Sequence, residues 1–176
     1  MAIAYVGLGS NLGSRLKQLR RGLELMSNVK GIRILKLSSF YATKPLHITE
    51  QPWYLNAVVK IRTTLSPVEL IQHFQAIESM AKRVRIIRFG PRTLDLDLLC
   101  YGRKSMKTKV VVLPHPRMAQ RAFVLKPLGE LCSRIWLGNR QVSVRSLLQR
   151  PGIGSQGVSA FKKNTSWTRR GTHGRT

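Results

Sequence analysis

Acidic side chains are scarce in this sequence. Seven Asp and Glu stand against 31 Lys and Arg, a formal charge of +24, and only two of the seven are aspartates. Any carboxylates gathered in one place therefore stand out. Cysteine is nearly missing too: Cys100 and Cys132 lack metal-ligand spacing and sit among apolar neighbours, which points to buried thiols rather than a metal site. No apolar run approaches the length of a membrane span, and Met1-Ala2-Ile3-Ala4-Tyr5 has neither the basic region nor the cleavage site of a signal peptide. A cytoplasmic protein with no membrane partner is expected. Helix-turn-helix, RRM and zinc-finger patterns are absent, as is the Lys-Ser/Thr of a phosphate loop.

What remains is a chain of 176 residues, long enough for one domain with a core of its own. Its positive field would attract nucleic acid and anionic small molecules alike, and does not choose between them. Six of the basic residues fall from Arg150 onward, so most of the excess belongs to the body of the chain. A nucleic-acid-binding protein is the alternative function this charge suggests, although no sequence-specific nucleic-acid partner is expected.

The stretch from Arg83 to Leu99 brings Arg83, Arg85, Arg88 and Arg92 directly up to the only two aspartates, Asp95 and Asp97. Side chains alternate along an extended chain, which puts Thr93, Asp95 and Asp97 on one face and Leu94, Leu96 and Leu98 on the other. Two carboxylates roughly 5 to 6 Å apart repel by about 3 kcal/mol at an effective dielectric of about 20. A hard divalent cation relieves that repulsion, and Mg²⁺ bearing a polyphosphate suits oxygen ligands surrounded by arginines. The plainer account is a solvated face paired with arginines. Like charges at Lys82, Arg83, Arg85 and Arg88, ended by Gly90-Pro91, predict a loop that orders around an anion.

Elsewhere, Ala2 to Leu8 reads as a buried strand, followed by the turn Gly7-Leu8-Gly9-Ser10-Asn11-Leu12-Gly13, which reads as structural. Leu12, Leu16, Leu19, Leu23 and Met26 then form the stripe of a helix capped near Asn11 or Ser14. Gly31 to Thr43 is strand-like, Lys44 to Trp53 a loop with two prolines, and Tyr54 to Thr64 a further strand. In that strand Asn56 either recognises a ligand or satisfies backbone groups. Ser66-Pro67-Val68-Glu69 is a capping box with proline at the first helical position. On that helix Gln75 and Glu78 project together beside the apolar stripe, as solvent-facing residues commonly do. A turn over residues 100–104 and a short strand from Val110 to Leu113 follow. Pro114-His115-Pro116 then holds a histidine between rigid neighbours, in a structural or a functional role. Arg117 to Leu125 predicts a short helix, Pro127 to Glu130 a turn, and Val142 to Leu148 a last amphipathic piece. From Pro151 the composition turns to Gly, Ser, Thr, Lys and Arg, and disorder is expected.

Several of these segments together resemble one family. They are Gly9-Ser10-Asn11-Leu12-Gly13, Ser38-Ser39-Phe40-Tyr41-x-Thr43, Tyr54-Leu55-Asn56-Ala57, Gln75-x-x-Glu78 and Arg83-x-Arg85. The more specific blocks are Gly90-Pro91-Arg92-Thr93-Leu94-Asp95-Leu96-Asp97 and Pro114-His115-Pro116, the latter followed by Arg121-x-Phe123-Val124-Leu125-x-Pro127-Leu128. Their order is similar to that of the 6-hydroxymethyl-7,8-dihydropterin pyrophosphokinases of folate biosynthesis, over nearly all of residues 2–149. The resemblance implies an α+β fold, a ferredoxin-like sandwich whose antiparallel sheet has helices on both sides in three layers. The domain would span residues 1–149, with a basic tail over 150–176 that has no counterpart in the family.

It also implies transfer of pyrophosphate from ATP to the pterin hydroxymethyl group by a Mg-dependent enzyme; separately from the resemblance, a monomer is expected. Asp95 and Asp97 would ligate two Mg²⁺ ions, and Arg83 and Arg92 would neutralise the group in transit. Gln75, Glu78, Arg85, Leu98, His115 and Arg121 would hold the nucleotide. Thr43, Leu46, Tyr54, Asn56 and Phe123 would form the pterin pocket. The chain departs from the family pattern at Phe89, where tryptophan is common, at Lys44, where proline is frequent, and at Lys82, where glycine is usual. None of these removes an implied metal ligand or phosphate-binding arginine.

Overall fold

A computed structural model of the protein describes residues 1–44, 52–81 and 92–161. Its elements in chain order are β1 (Ala2–Ser10), α1 (Arg15–Ser27), β2 (Ile32–Leu37), β3 (Tyr41–Thr43), β4 (Tyr54–Thr63), α2 (Pro67–Met80), β5 (Asp95–Tyr101), β6 (Met106–Lys107), β7 (Val112–Leu113), α3 (Ala122–Gly129), β8 (Arg134–Leu137), β9 (Arg140–Ser143), α4 (Val144–Leu148) and β10 (Val158–Ala160). Six strands form one antiparallel sheet in the order β10-β3-β4-β1-β5, with β2 pairing beside β3 on β4.

The two faces of the sheet are covered differently, and alternation along the strands explains how. Val6 and Leu8 on β1, Leu55, Ala57, Val59 and Ile61 on β4, and Leu96 and Leu98 on β5 point one way and bury Leu19, Leu23 and Met26 of α1 with Leu70, Phe74 and Ile77 of α2. Val58 and Leu99 point the other way and pack with Val124, Leu125 and Leu128 of α3 and Val144 and Leu147 of α4. The result is the three-layer α+β sandwich with helices on both sides. Burial of apolar side chains at about 1.5 to 3 kcal/mol each holds the layers together. Since α3 and α4 cover only part of the second face, the remainder is left for other chemistry.

Local signals account for most element ends. The Ser66 hydroxyl accepts from Glu69 N–H, and the Glu69 carboxylate accepts from Ser66 N–H at 2.7 Å, completing the expected capping box. Ser14 occupies the N-cap position of α1 without a side-chain cap bond, and Leu12 lies outside the helix and exposed. The segment read as one strand from Gly31 to Thr43 is broken after Leu37. There Ser38 N–H donates to Val58 O at 3.0 Å while the Ser38 hydroxyl accepts from Val58 N–H at 2.9 Å, so a side-chain oxygen replaces one carbonyl of the ladder.

Two expectations for the C-terminal part need correction, and a hairpin that no expectation covered lies between them. Pro127 lies inside α3 rather than in a turn. The cost of an interior proline, about 3 kcal/mol or more, is offset by burying Leu125 and Leu128. Residues 134–143 form a hairpin, β8 with β9, around Gly138 in the left-handed region at φ 62. Disorder was expected from Pro151, yet β10 pairs with β3, Ile153 is buried, and Phe161 N–H donates to Phe40 O at 2.8 Å. The polar composition of this segment hid a strand because its edge position leaves Ser159 and Ala160 exposed.

Candidate functional site

The uncovered end of the second sheet face gathers side chains from three strands. Antiparallel register sets Asp95 and Asp97 of β5 opposite Gly9 and Gly7 of β1, Gly9 opposite Asn56 of β4, Asn56 opposite Tyr41, and Tyr54 opposite Thr43 of β3. Cross-strand partners share a face. Asp95, Asp97, Asn56, Tyr54 and Thr43 therefore lie on one face, two carboxylates at one side and a polar pocket at the other. Both aspartates are half-buried.

Glycine in β1 is what leaves this face open. A Cβ at Gly9 would stand 2.9 Å from Asn56 Oδ1 and 3.9 Å from Asp95 Cβ. Asn56, only 7 % exposed, donates through Nδ2 to Thr43 Oγ1 at 2.8 Å, so its amide is oriented by a neighbour within the pocket. Both accounts of Asn56 offered by the sequence involved a buried amide with partners, and its observed partner is a side chain.

The segment before β5 is tied to the start of the molecule. Asn11 N–H donates to Arg92 O at 3.0 Å, and Arg92 N–H donates back to Asn11 Oδ1 at 2.7 Å. Asn11 Nδ2 reaches Pro52 O at 3.4 Å, while Arg15 Nη1 donates to Trp53 O at 2.6 Å. The glycine-rich turn after β1 is thus a structural clamp on the two segments that enter the site. Arg92 turns its guanidinium onto Asp95 Oδ2 as an ion pair. Burial lowers the Arg92 pKa, but the charge and hydrogen bond of Asp95 outweigh it and leave the group above its ordinary value. Tyr54 stands in the same field: burial raises its phenol, Arg92 lowers it and Asp95 raises it, with a net increase.

His115 and Arg121 approach from beneath β7 and from the start of α3. The Leu113-Pro114 peptide is cis, and His115 N–H donates to Leu99 O at 2.8 Å, fixing the segment against β5. His115 Nδ1 accepts from Arg117 N–H at 3.3 Å. The neutral ring therefore carries its proton on Nε2. Burial, reinforced by Arg121 and Arg117 and opposed by Asp95, lowers the His115 pKa to about 4. The Arg121 guanidinium lies 5.4 Å from the centroid of the half-buried Phe123 ring. Burial and Arg117 lower its pKa while Asp97 and Asp95 raise it, so it too lies within the field of the carboxylates.

Two implied nucleotide residues are placed otherwise than their side chains suggested. Glu78 does not share an exposed face with Gln75. Gln75 is exposed, whereas Glu78 is 6 % exposed and its Oε1 accepts from Leu96 N–H at 2.8 Å, between the two aspartates. The Leu98 side chain is buried in the core under α1 and α2, on the face opposite Asp97, so only its main chain can meet a ligand. Leu46, Arg83 and Arg85 lie outside the described residues, as do Lys82, Arg88 and Phe89. The sequence offered Asn11 only as a helix cap; its clamp on Arg92 joins residues 81 positions apart, which no local pattern signals.

Comparison with known proteins adds a second line of observation. A family model described as 7,8-dihydro-6-hydroxymethylpterin-pyrophosphokinase (HPPK) matches residues 5–133. The chain is 43% identical over 133 residues to the 2-amino-4-hydroxy-6-hydroxymethyldihydropteridine pyrophosphokinase of Bacillus subtilis, covering 76% of this chain and 80% of that protein. It is 44% identical over 142 residues to the protein of the same name from Haemophilus influenzae, covering 81% and 89%. Among solved structures, an HPPK-DHPS in complex with substrates aligns with a TM-score of 0.64 at 14% identity, over 83% of this chain and 42% of the other. The chain thus spans less than half of that solved protein, and the likeness bears on the fold alone.

Proposed function

The chain belongs to the 7,8-dihydro-6-hydroxymethylpterin-pyrophosphokinase family, and from that membership we propose that it transfers pyrophosphate from ATP to the hydroxymethyl oxygen of 6-hydroxymethyl-7,8-dihydropterin in folate biosynthesis. The pterin oxygen attacks the β-phosphorus of ATP, the bond from that phosphorus to the α-phosphate oxygen breaks, AMP leaves with the electron pair, and the hydroxyl proton is released. The observation that carries the reading is the shared sheet face. Asp95 and Asp97 lie a short way across Gly9 and Gly7 from Asn56, Thr43 and Tyr54. A pterin in that polar pocket and a triphosphate at the carboxylates would stand side by side, which is what in-line transfer demands.

Mg²⁺ suits the donor set. Two hard carboxylates share one face, and the glycines opposite them on β1 leave that face without intervening side chains. Among the described residues no group of three or more His, Cys, Asp and Glu is gathered. Magnesium commonly takes one or two carboxylates and completes its shell with phosphate and water. Asp95 and Asp97 would hold two ions, which when bound would supply neutralisation of the phosphate charge.

The chain's own residues supply the rest. Thr43, Leu46, Tyr54, Asn56 and Phe123 bind the pterin, the buried Asn56 amide reading the edge of the ring by hydrogen bonds. Arg83 and Arg92 stabilise charge on the group in transit. Gln75, Arg85, Leu98 through its main chain, His115 and Arg121 hold the nucleotide. His115 does so as a neutral donor through Nε2. Glu78 serves the same site indirectly, by holding Leu96 and with it the backbone between the aspartates. The enzyme acts as a monomer in the cytoplasm, with a domain that extends past residue 149 to the end of β10.

The purified protein incubated with ATP, Mg²⁺ and the pterin alcohol is expected to release AMP in step with pterin diphosphate. Asp95→Ala combined with Asp97→Ala should abolish it. No AMP from the wild type, or undiminished release by the double variant, overturns the proposal. Elution at dimer mass in size-exclusion chromatography would overturn the monomer.

A further inference from the structure

Arg121 is the N-cap residue of α3, extended at φ -122 and ψ 108, and its side chain makes no capping bond. The first N–H of a helix has no partner within the helix and must find one elsewhere. Here it finds one in Gln156, 34 residues downstream: Ala122 N–H donates to Gln156 Oε1 at 2.9 Å. The other end of the same amide, Nε2, donates to Gln120 O at 2.9 Å. Gln120 O belongs to the peptide plane before Arg121, and Ala122 N–H to the plane after it. One planar amide therefore grips both planes whose orientations define φ and ψ of Arg121. Rotation about either bond would swing the long side chain away from the carboxylate field.

Gln156 is itself held from several directions. Its N–H donates to Ile153 O at 3.2 Å, and Ile153 is buried in the core beneath α3. The next residues bind the other side of the site. Gly157 O accepts from Lys44 N–H at 3.4 Å, Val158 O accepts from Lys126 Nζ at 2.9 Å, and β10 pairs with β3, the strand of Thr43. Gln156 and the segment that carries it lie beyond residue 133, where the family match ends.

We infer that Gln156 is a positioning residue that fixes the Arg121 backbone, so that the segment following α4 serves nucleotide binding through Arg121. The inference rests on the proposal that Arg121 holds the nucleotide. Isothermal titration of Mg-ATP without pterin, into wild type, Gln156→Ala, Arg121→Ala and the double variant, tests both separately. Gln156→Ala should weaken Mg-ATP binding about threefold to tenfold, with the KM for pterin changed by less than about twofold, since a lost hydrogen bond is worth about tenfold at most when its groups regain water. In the Arg121→Ala background the same substitution should have almost no effect, because residues acting through one another are not additive.

Wild-type affinity in Gln156→Ala, or a loss of the same size with Arg121 already removed, overturns the inference while leaving the Arg121 role intact. Wild-type affinity in Arg121→Ala overturns that role, and the inference with it. If Gln156→Ala fails to fold by circular dichroism, Gln156→Met keeps the length of the side chain without adding charge and loses both hydrogen bonds. A loss confined to Mg-ATP then supports the inference, and an equal loss for both substrates overturns it.

Discussion

Asn11 and Arg92 bind each other twice across 81 residues, backbone N–H to carbonyl in one direction and backbone N–H to side-chain oxygen in the other. The pair fixes where the chain enters β5, and so where the Arg92 guanidinium meets Asp95. Asn11→Ala would leave the partly buried Arg92 N–H without this acceptor, at a cost of about 1 to 3 kcal/mol. Urea denaturation should show that loss, together with a lower kcat. Asn11→Asp keeps the acceptor and should recover most of the stability.

Gly9→Ala is expected to damage one substrate site more than the other. The new methyl meets Asn56 Oδ1 at 2.9 Å, and Asn56 can retreat only by giving up its bond to Thr43. Overpacking of this kind costs about 1 to 3 kcal/mol. Steady-state kinetics should show the KM for pterin rising severalfold, with the KM for ATP nearly unchanged.

Glu78→Ala should destabilise the fold through Leu96. Its buried carboxylate accepts Leu96 N–H, and removing it leaves that donor short of a partner at a cost of about 1 to 3 kcal/mol. Glu78→Gln retains an oxygen in the same place. Thermal unfolding should therefore find the glutamine variant much closer to wild type, and metal-dependent activity should follow the same order.

The pH dependence of stability should carry the mark of His115. Burial and the neighbouring arginines bring its folded pKa to about 4, below the ordinary value of 6.5. Between these values the unfolded chain binds the proton and the folded chain does not, so stability falls as pH drops from 6.5 toward 4 and is unaffected above. Thermal melts of wild type and His115→Gln should converge across that interval, the wild type losing more of its melting temperature.

Glu130 is expected to govern the titration of Tyr41. The Tyr41 hydroxyl donates to Glu130 Oε1 at 2.5 Å, and burial together with that carboxylate raises the phenol to about 12. Glu130→Gln removes the anion but not the burial. The tyrosinate absorbance of the variant should appear at lower pH than in wild type, though still above 10.

Alternation made much of this molecule readable before any coordinate. Asp95-x-Asp97 on one face with leucines on the other, the stripes of α1 and α2, and the capping box at Ser66 are all local patterns with periods that only one kind of backbone satisfies. Their order along the chain also carried the family resemblance. Composition misled where side chains were polar but the backbone was paired. Val158 to Ala160 lie at a sheet edge, where exposed small residues conceal a strand. Pro127 marked a turn only until the burial of its neighbours in α3 was taken into account.

The pair of aspartates, their alternation and the motif order were determined by the sequence alone, because each depends on residues next to one another in the chain. Only the tertiary structure decided that Glu78 is buried against Leu96, that Asn11 clamps Arg92, and that Gln156 brackets Arg121. Those contacts join residues 18 to 81 positions apart. The direction of a side chain over such separations depends on strand register and helix packing, which no local period encodes.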